Sequence, residues 1–401
     1  MTTEAARPAS RLRFEVLGRA GAARRGRLTT PHGAIETPAF MPVGTLGAVK
    51  GVAPEALEDA GAEIMLCNLY HLAVRPGIDT IERLGGVHQW NGWRRPILTD
   101  SGGFQVMSLA ALLVLDTGGV TFRSHVDGAL LRFTPENVVD MQRRLGVDVA
   151  MVLDECAPYP VDVETARRAV ERTESWARLA RAAWERAPGP GGLFGIVQGG
   201  VYPALRERAA ASIAGMDFDG CAIGGVSVGE PAAERRAVVE FTAPLLPDHK
   251  PRYLMGVGTP LDLLHGVLQG IDLFDCVLPS RNARHGLLYT RLGPLRIKNA
   301  RYRDDPRPID AECGCPVCRR GGRAFLHHLI RSAEITGAVL ATLHNLRFYL
   351  DFMGDLRQAF ASGSLAEYAA DAVRRLGDES HTEDAEPARS GSQSTPSTQG
   401  A

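Results

Sequence analysis

The 401-residue sequence lacks several features that mark specialised classes of protein. Its formal net charge is only −1, so no overall field attracts a polyanion, and any nucleic-acid site must be a local basic patch. The longest apolar run, near residues 107–115, is too short to span a bilayer. The first residues do not combine the basic start, apolar stretch and cleavage site of a secretory leader. We therefore expect a cytoplasmic globular protein with no membrane association.

Cysteine is scarce, and the seven cysteines are unevenly placed, which argues against a disulfide framework. Three of them fall within six residues, as Cys313, Cys315 and Cys318, and His344 follows. Three soft sulfur ligands and one imidazole suit tetrahedral Zn²⁺, and four protein ligands leave no open position for catalysis. The pattern predicts one structural zinc ion per subunit. Free cysteines beside an unrelated histidine are the alternative.

The sequence also has no Gly-x-Gly-x-x-Gly motif after its first apolar run, which argues against a dinucleotide-binding fold. From about residue 38, short apolar runs alternate with helical stretches, and near-continuous apolar runs are typical of parallel strands covered on both faces. Eight such units predict an α/β fold, specifically a (β/α)8 TIM barrel, with a large doubly wound sheet as the alternative. The predicted strands are residues 39–43, 64–68, 96–100, 149–154, 193–198, 221–225, 252–256 and 272–277.

Two of the intervening segments carry clear helix signals. Thr134 is a capping residue, Pro135 suits the first helical position, and Gly146 follows an apolar face, so the sequence predicts a helix between Thr134 and Gly146. Residues 163–186 predict a longer amphipathic helix rich in arginine and alanine.

Polar side chains end many of the predicted strands. In a barrel the carboxyl ends of the strands meet at one face, where the active site lies. The sequence places Asn68, Asp100, Asp154, Gln198 and Asp275 there. Their convergence predicts a polar pocket at the mouth of the barrel.

Two of these pocket residues, Asp275 and Asp100, also have a simpler interpretation. Asp275 lies in an apolar segment, which favours a nucleophile or acid, although a neighbouring backbone group or arginine could satisfy a buried acid. Asp100 offers an acid or base but could instead cap a tight turn. Asp154 and Gln198 suit the edge of a purine-like base, and Phe104 could stack on its ring.

A basic stretch follows Asp275. Arg281 and Arg284 lie three residues apart, and arginine and lysine recur through residues 281–303. The position beside Asp275 favours phosphate binding, while a solvated charged face is the alternative.

Taken together, five motifs in chain order resemble those of bacterial tRNA-guanine transglycosylases, the queuine tRNA-ribosyltransferase family. The resemblance covers residues 12–376. The motifs are Asp-Ser-Gly-Gly-Phe-Gln at 100–105, Asp-Glu-Cys-x-Pro-Tyr-Pro at 154–160, Gly-Ile-Val-Gln-Gly-Gly at 195–200, Phe-Asp-Cys-Val-Leu-Pro at 274–279, and Cys-x-Cys-x2-Cys at 313–318 with His344.

The resemblance implies a catalytic barrel over residues 12–376 with a C-terminal zinc-binding subdomain at about 299–350. Polar tails at 1–11 and 377–401 are expected to be disordered. The resemblance further implies a homodimer that binds the anticodon stem-loop of tRNA. The enzyme would exchange the wobble guanine of the tRNAs for Asp, Asn, His and Tyr for the queuosine precursor 7-aminomethyl-7-deazaguanine, through a covalent enzyme–ribose intermediate.

Roles for individual residues follow from the same resemblance. It implies Asp275 as the nucleophile and Asp100 as the general acid/base and a base contact. The implied base pocket comprises Asp100, Ser101, Gly102, Gly103, Phe104, Asp154, Gln198, Gly225 and Met255. The implied RNA contacts are Gly256, Val257, Gly258, Thr259, Pro260, Leu261, Asp262, Ser280, Arg281, Asn282, Ala283 and Arg284.

Two other functions fit the sequence less well. A non-catalytic RNA-binding relative would not need both Asp100 and Asp275. A sugar hydrolase on a barrel does not explain the zinc motif, the arginine cluster or the low aromatic content of 6%. The chain departs from the family pattern at Leu69, Ser280 and Ala283, where Thr, Thr and Gly are usual.

Overall fold

The computed structural model describes residues 12–108, 113–124, 126 and 128–377. The predicted tails at 1–11 and 377–401 lie outside the described residues, apart from Gly377, which ends the last helix. No helix in the described ranges is long and apolar enough to cross a membrane.

Strands and helices alternate through most of the described chain. The strands are β1 (Arg13–Ala20), β2 (Ala23–Thr30), β3 (Gly33–Thr37), β4 (Ala39–Pro42), β5 (Met65–Cys67), β6 (Ile97–Thr99), β7 (Leu113–Asp116), β8 (Gly119–Arg123), β9 (Leu130–Phe133), β10 (Val149–Met151), β11 (Gly192–Val197), β12 (Gly220–Ile223), β13 (Arg252–Leu254), β14 (Leu273–Cys276), β15 (Leu287–Thr290) and β16 (Gly293–Arg296). The α-helices are α1 (Pro54–Asp59), α2 (Leu69–Val74), α3 (Ile78–Arg83), α4 (Val87–Asn91), α5 (Gly103–Ser108), α6 (Pro135–Leu145), α7 (Val163–Arg186), α8 (Pro203–Gly215), α9 (Ala232–Thr242), α10 (Pro260–Leu268), α11 (Leu278–Arg284), α12 (Pro316–Arg320), α13 (Arg323–Arg331), α14 (Ile335–Ala361) and α15 (Leu365–Gly377), with 3-10 turns at Ala243–Leu245 and Ala300–Tyr302.

Eight parallel strands form the central sheet, in the order β4-β14-β13-β12-β11-β10-β6-β5. The two edge strands approach each other through a parallel bridge between Val43 and Leu66, and the Gly44 N–H donates to the Leu66 carbonyl at 2.7 Å. The sheet is therefore a nearly closed barrel, and all eight predicted strands are confirmed. Their apolar runs have the expected cause, because all six residues of β11 are buried.

Helix α6 shows how local sequence sets an element boundary. The Thr134 hydroxyl accepts from the Asn137 N–H, and the Asn137 side chain accepts from the Thr134 N–H, which together form a capping box. Gly146 ends the helix in the left-handed region, at φ 75°. Both predicted ends of this helix, and the predicted helix at Val163–Arg186, are confirmed.

The antiparallel sheet β1–β3 is tied to the N-terminal end of the barrel by the fully buried Asp148. Its carboxylate accepts from the Ile97 N–H at 2.9 Å and lies 2.9 Å from His32 Nδ1 and 3.1 Å from His88 Nε2. The two imidazole rings stack with their centroids 3.6 Å apart. This cluster lies at the end of the barrel opposite the predicted pocket, since Asp148 precedes β10.

A second apolar core lies under the hairpin β15–β16 and helices α12 to α14. The buried Asn345 of α14 joins this subdomain to the barrel. Its amide donates to the carbonyls of Pro279 and Leu287, both at 3.0 Å, and its oxygen accepts from the Tyr289 N–H at 3.0 Å. Helix α11, which directly follows the last barrel strand, is thus fixed to the subdomain that carries the cysteine motif.

Candidate active site and metal centre

Three carboxylates gather at the carboxyl ends of the barrel strands. Asp100 follows β6, Asp154 follows β10, and Asp275 lies on β14. Each is at most 8% exposed. The charges of Asp275 and Asp154 both help to raise the pKa of Asp100, so the three carboxylates lie close enough to interact electrostatically. The strand-end residues singled out from the sequence are therefore brought together.

Asp275 is held through one of its two oxygens. The Tyr253 hydroxyl donates to Oδ1 at 2.6 Å, and the Gly256 N–H donates to the same atom at 2.7 Å. Burial raises the pKa of Asp275, and these two donors oppose that rise. Because both donors act on Oδ1, the other oxygen keeps its lone pairs available to an electrophile.

Asp100 is positioned by the segment that follows β5. The Asn68 amide donates to Oδ2 at 2.5 Å, and the Leu69 N–H donates to Oδ1 at 2.7 Å. Burial raises the pKa of Asp100 to about 7 in spite of these donors. A carboxyl group with a pKa near neutrality can both donate and accept a proton, which suits general acid/base catalysis.

The Asp154 carboxylate accepts hydrogen bonds from two neighbouring side chains. The Ser101 hydroxyl donates to Oδ1 at 3.1 Å, and the Gln198 amide donates to Oδ2 at 2.6 Å. Burial raises the pKa of Asp154 to about 6. A Cβ at Gly103 would lie 1.8 Å from Asp154 Oδ1, so only glycine permits this approach.

The remaining predicted pocket residues surround this group. Gly102 takes a positive φ of 88°, and Gly225 takes one of 64°. A Cβ at Gly225 would lie 2.2 Å from Gln198 Oε1, which again requires glycine. Met255 is half-buried, and Phe104 is 53% exposed, so its side chain is accessible to a ligand.

The two predicted RNA-contact segments flank Asp275. One is the turn into α10, where the Thr259 hydroxyl caps the helix, and the other is α11. Arg281 is exposed and Arg284 is half-buried, and neither forms an ion pair with a carboxylate among the described residues. Several members of the segments are buried and can support the surface rather than form it. These are Val257, Gly258, Pro260, Asp262, Ser280 and Ala283.

Cys313, Cys315, Cys318 and His344 come together as the sequence predicts. Their ligand atoms all lie within 4.8 Å of one another, and the sulfur atoms lie 3.3 to 3.8 Å from His344 Nδ1. A tetrahedron with zinc bond lengths of 2.0 to 2.3 Å has edges of about 3.6 Å, so the group could hold this ion. His344 Nε2 donates to the Tyr289 carbonyl at 2.8 Å, which leaves Nδ1 unprotonated for a metal.

Sequence reasoning did not single out two side chains that shape the pocket. Tyr253 lies on β13 and contacts Asp275. Residues two apart in a strand point to the same face, so its spacing from Met255 could have indicated that Tyr253 also faces the pocket. Arg206 donates hydrogen bonds to the backbone carbonyls of Val197, which precedes Gln198, and of Gly225. No sequence signal marks Arg206, because an arginine in the first turn of a helix is usually exposed.

Comparison with known proteins supports the resemblance. The family model described as queuine tRNA-ribosyltransferase matches residues 19–378. A queuine tRNA-ribosyltransferase of Aromatoleum aromaticum is 51% identical over 359 residues, which is 90% of this chain and 97% of that protein. Enzymes with the same name from Acidithiobacillus ferrooxidans and Nitrosomonas eutropha are 52% and 53% identical, covering 90% and 86% of this chain and 97% and 96% of their own lengths.

Proposed function

Because this chain belongs to the queuine tRNA-ribosyltransferase family, we propose that it replaces guanine at the wobble position of tRNA anticodons with 7-aminomethyl-7-deazaguanine. The tRNAs would be those for Asp, Asn, His and Tyr. The observation that carries the proposal is that Asp100 and Asp275 are both buried at the carboxyl ends of barrel strands and interact electrostatically. A base exchange on ribose needs a group on the sugar side and another on the base side, and these two carboxylates can supply them.

The first step forms a covalent enzyme–ribose ester. The Asp275 oxygen that receives neither donor attacks the anomeric carbon as the bond from this carbon to the guanine nitrogen breaks. The bonding electron pair leaves with guanine, and Asp100 supplies the proton that neutralises it. The donors from Tyr253 and Gly256 favour the ionised form of Asp275, against the effect of burial on its pKa, and orient the carboxylate for this attack.

The second step reverses these roles with a different base. The incoming deazaguanine gives its ring N–H proton to Asp100, and its nitrogen attacks the anomeric carbon. The ester bond breaks, and its electron pair returns to Asp275 as a carboxylate. Asp100 is thereby protonated again, so each complete exchange leaves both groups as they began.

Recognition of the base falls to the other pocket residues. The target nucleotide must leave the anticodon stack to reach the site. Asp154 can accept from the N–H groups on the edge of guanine, and Gln198 and Gly225 border the same space. The accessible ring of Phe104 and the side chain of Met255 provide stacking surfaces.

The pKa of Asp100 predicts a pH dependence for the first step. Because Asp100 must donate a proton, the single-turnover rate of ester formation is expected to fall as pH rises through about 7. The acidic side of the profile should reflect protonation of Asp275. Quenched-flow measurement from pH 5 to 9 checks this, and Asp100→Asn should remove the alkaline decline together with most of the rate. An alkaline decline unchanged in Asp100→Asn would assign it to another group.

Arg284 provides a test of RNA binding. The side chain is half-buried, and Nη1 donates to the Ser280 carbonyl at 2.9 Å, so its direction is fixed against α11, the helix that follows Asp275. Arg284→Ala should weaken tRNA binding and reduce the slope of log affinity against log salt by about one unit. Arg303→Ala, which removes another exposed arginine of the basic stretch, is the matched comparison. An unaltered slope for Arg284→Ala would show that this side chain contacts no phosphate.

The proposal extends to assembly, location and metal. We expect a homodimer in the cytoplasm, with one structural Zn²⁺ per subunit held by Cys313, Cys315, Cys318 and His344. The zinc would order the subdomain fixed to α11 and would take no part in the reaction.

Incorporation of radiolabelled guanine into unmodified tRNA tests the proposed exchange directly. The label should enter tRNA that carries guanine at the wobble position and should be absent when adenine replaces this base. Unlabelled 7-aminomethyl-7-deazaguanine should compete with the label. Failure to label any of the four tRNAs would reject the proposed function.

A further inference from the structure

The seam between strands β6 and β10 divides the candidate pocket. Asp100, the proposed general acid/base, directly follows β6, and Asp154, the proposed acceptor for the edge of the base, follows β10. Among the described residues these two strands pair at one position, Leu98 with Val149, whereas β10 pairs with β11 at three positions. Backbone pairing therefore does little to fix the position of Asp100 relative to Asp154.

The side chain of Gln142, on α6, binds the end of β10 at this seam and is fully buried. Its Oε1 accepts from the Met151 N–H at 2.8 Å, and its Nε2 donates to the Met151 carbonyl at 2.8 Å. The Val152 N–H donates to β11, and successive N–H groups of a strand point to opposite edges, so the Met151 N–H points toward the β6 side. The Gln142 amide thus pairs with Met151 as a peptide group of an adjacent strand would.

The same amide also binds β6. The Thr99 hydroxyl donates to Gln142 Oε1 at 2.9 Å, and Thr99 is the last residue of β6, directly before Asp100. The Gln142 Nε2 makes its second bond to the Val138 carbonyl of α6, at 3.1 Å. The amide oxygen therefore accepts two hydrogen bonds and the amide nitrogen donates two, which satisfies this buried group completely and fixes its orientation.

We infer that Gln142 is a positioning residue that holds the ends of β6 and β10 together and so sets the position of Asp100 against a base bound at Asp154. The inference rests on the proposed function for the roles of these two carboxylates. Proton transfer requires Asp100 to lie within hydrogen-bond reach of the departing base while Asp154 holds its edge. If the two strand ends shifted, the base would still bind but would be misplaced for the acid, and a displacement of about 1 Å can lower a rate by about 100-fold.

Two substitutions of Thr99 test this role by separating its hydroxyl from its packing. Thr99→Val keeps the shape of the side chain and loses the donor, whereas Thr99→Ser keeps the donor and loses a methyl group. Gln142→Met removes the bonds to both strands. Thr242→Val is the matched control, because Thr242 is also fully buried but its hydroxyl has no hydrogen-bond partner among the described residues. For each protein, quenched flow at saturating tRNA would give the rate of ester formation, and equilibrium dialysis would give the dissociation constant for free guanine.

In Thr99→Val the rate of ester formation should fall by about tenfold or more, because Asp100 is no longer held in line with the base. The dissociation constant for guanine should be nearly unchanged, since Asp154 still holds the edge of the base. Thr99→Ser and Thr242→Val should react at close to the wild-type rate. Gln142→Met should lose more rate than Thr99→Val, because the end of β10 loses its partner as well. If circular dichroism shows that Gln142→Met does not fold, the two Thr99 variants decide the question.

A wild-type rate in Thr99→Val would overturn the inference. A loss of rate in Thr99→Ser as large as that in Thr99→Val would also overturn it, because packing rather than the bond to Gln142 would then matter. Equal losses of rate and of guanine affinity would indicate general damage to the pocket and would likewise reject a positioning role. The failure of the proposed function looks different, since the wild type itself would then form no ester and place no label in tRNA.

Discussion

Asp275→Asn is expected to abolish the exchange reaction, with a fall in rate of about 10⁴-fold or more, because removing a catalytic nucleophile eliminates the covalent route. The covalent intermediate should disappear as well. In the wild type, incubation with tRNA should give an enzyme–RNA adduct that survives denaturant and migrates as a single species in an SDS gel. An amide is too weak a nucleophile to form this ester.

The geometry around Asp275 makes this substitution a clean test. Tyr253 and Gly256 both donate to Oδ1, and the asparagine oxygen can accept the same two bonds. Its NH₂ group then takes the place of the oxygen that attacks. The variant should therefore fold normally, bind tRNA with nearly unchanged affinity and fail only at chemistry.

Asp140→Asn supplies the matched control, since Asp140 is a half-exposed carboxylate on the outer face of α6, where it pairs with Arg143. This variant should keep both adduct and exchange. If Asp275→Asn formed the adduct at the wild-type level, another residue would have to be the nucleophile. The assignment of Asp275 would then be wrong.

Much of the barrel could be predicted because its signals are local. A parallel strand covered on both faces is a continuous apolar run, as in β11, and the capping of α6 depends only on Thr134 and its close neighbours. Strand ends also share one face by topology, so Asp100 and Asp275 could be assigned to the mouth without knowledge of any contact.

Two of the antiparallel additions to the barrel, the sheet β7–β9 and the hairpin β15–β16, were not predicted. The sheet β7–β9 lies in a segment whose apolar character is apparent in the sequence, but its strands have only four or five residues. Such short strands depend on pairing between Leu113 and Phe122 and between Val120 and Phe133 rather than on their own pattern. The hairpin β15–β16 was hidden in the same way within a stretch that stands out only by its positive charge.

The hydrogen bonds that tune the site could not be predicted, because each joins residues distant in sequence. Tyr253 reaches Asp275 across 22 positions, and Asn68 reaches Asp100 across 32. These contacts depend on how far neighbouring strands are shifted relative to one another along the barrel axis, and no local sequence pattern encodes this shift. The metal ligands are an exception. Cys313 and His344 are 31 positions apart, but the chemistry of sulfur and imidazole ligands allowed His344 to be assigned.

Cys318→Ala is expected to have the largest effect on stability. The side chain is buried, and its sulfur lies 3.3 Å from His344 Nδ1, so the variant leaves three ligands for an ion that needs four. Structural zinc sites bind with an apparent free energy of about 10 to 16 kcal/mol, much of which is available to folding. We expect loss of bound zinc and a free energy of unfolding lower by several kcal/mol. Metal analysis and thermal unfolding measure these two quantities.

Cys221→Ala is the matched control for the loss of a buried thiol. Cys221 lies on β12 outside the ligand group and is 2% exposed, so its substitution should cost packing energy alone and leave zinc content unchanged. Full zinc content in Cys318→Ala would reject the proposed ligand set. Loss of zinc from both variants would indicate that general unfolding, rather than removal of a metal ligand, causes the loss.

Loss of zinc should also affect the proposed RNA-binding surface, through α14. His344 and Asn345 are adjacent in that helix; His344 bonds the Tyr289 carbonyl, and Asn345 bonds the Pro279 carbonyl at the start of α11. When the metal no longer fixes His344, α11 should lose part of its support, and with it the direction of Arg284. Below its melting temperature, Cys318→Ala should therefore bind tRNA more weakly than Cys221→Ala while retaining its affinity for free guanine, because Asp154 and Gln198 follow the barrel strands β10 and β11, outside the subdomain that carries the cysteine motif. Equal weakening for tRNA and guanine would indicate that zinc supports the whole barrel rather than α11 alone.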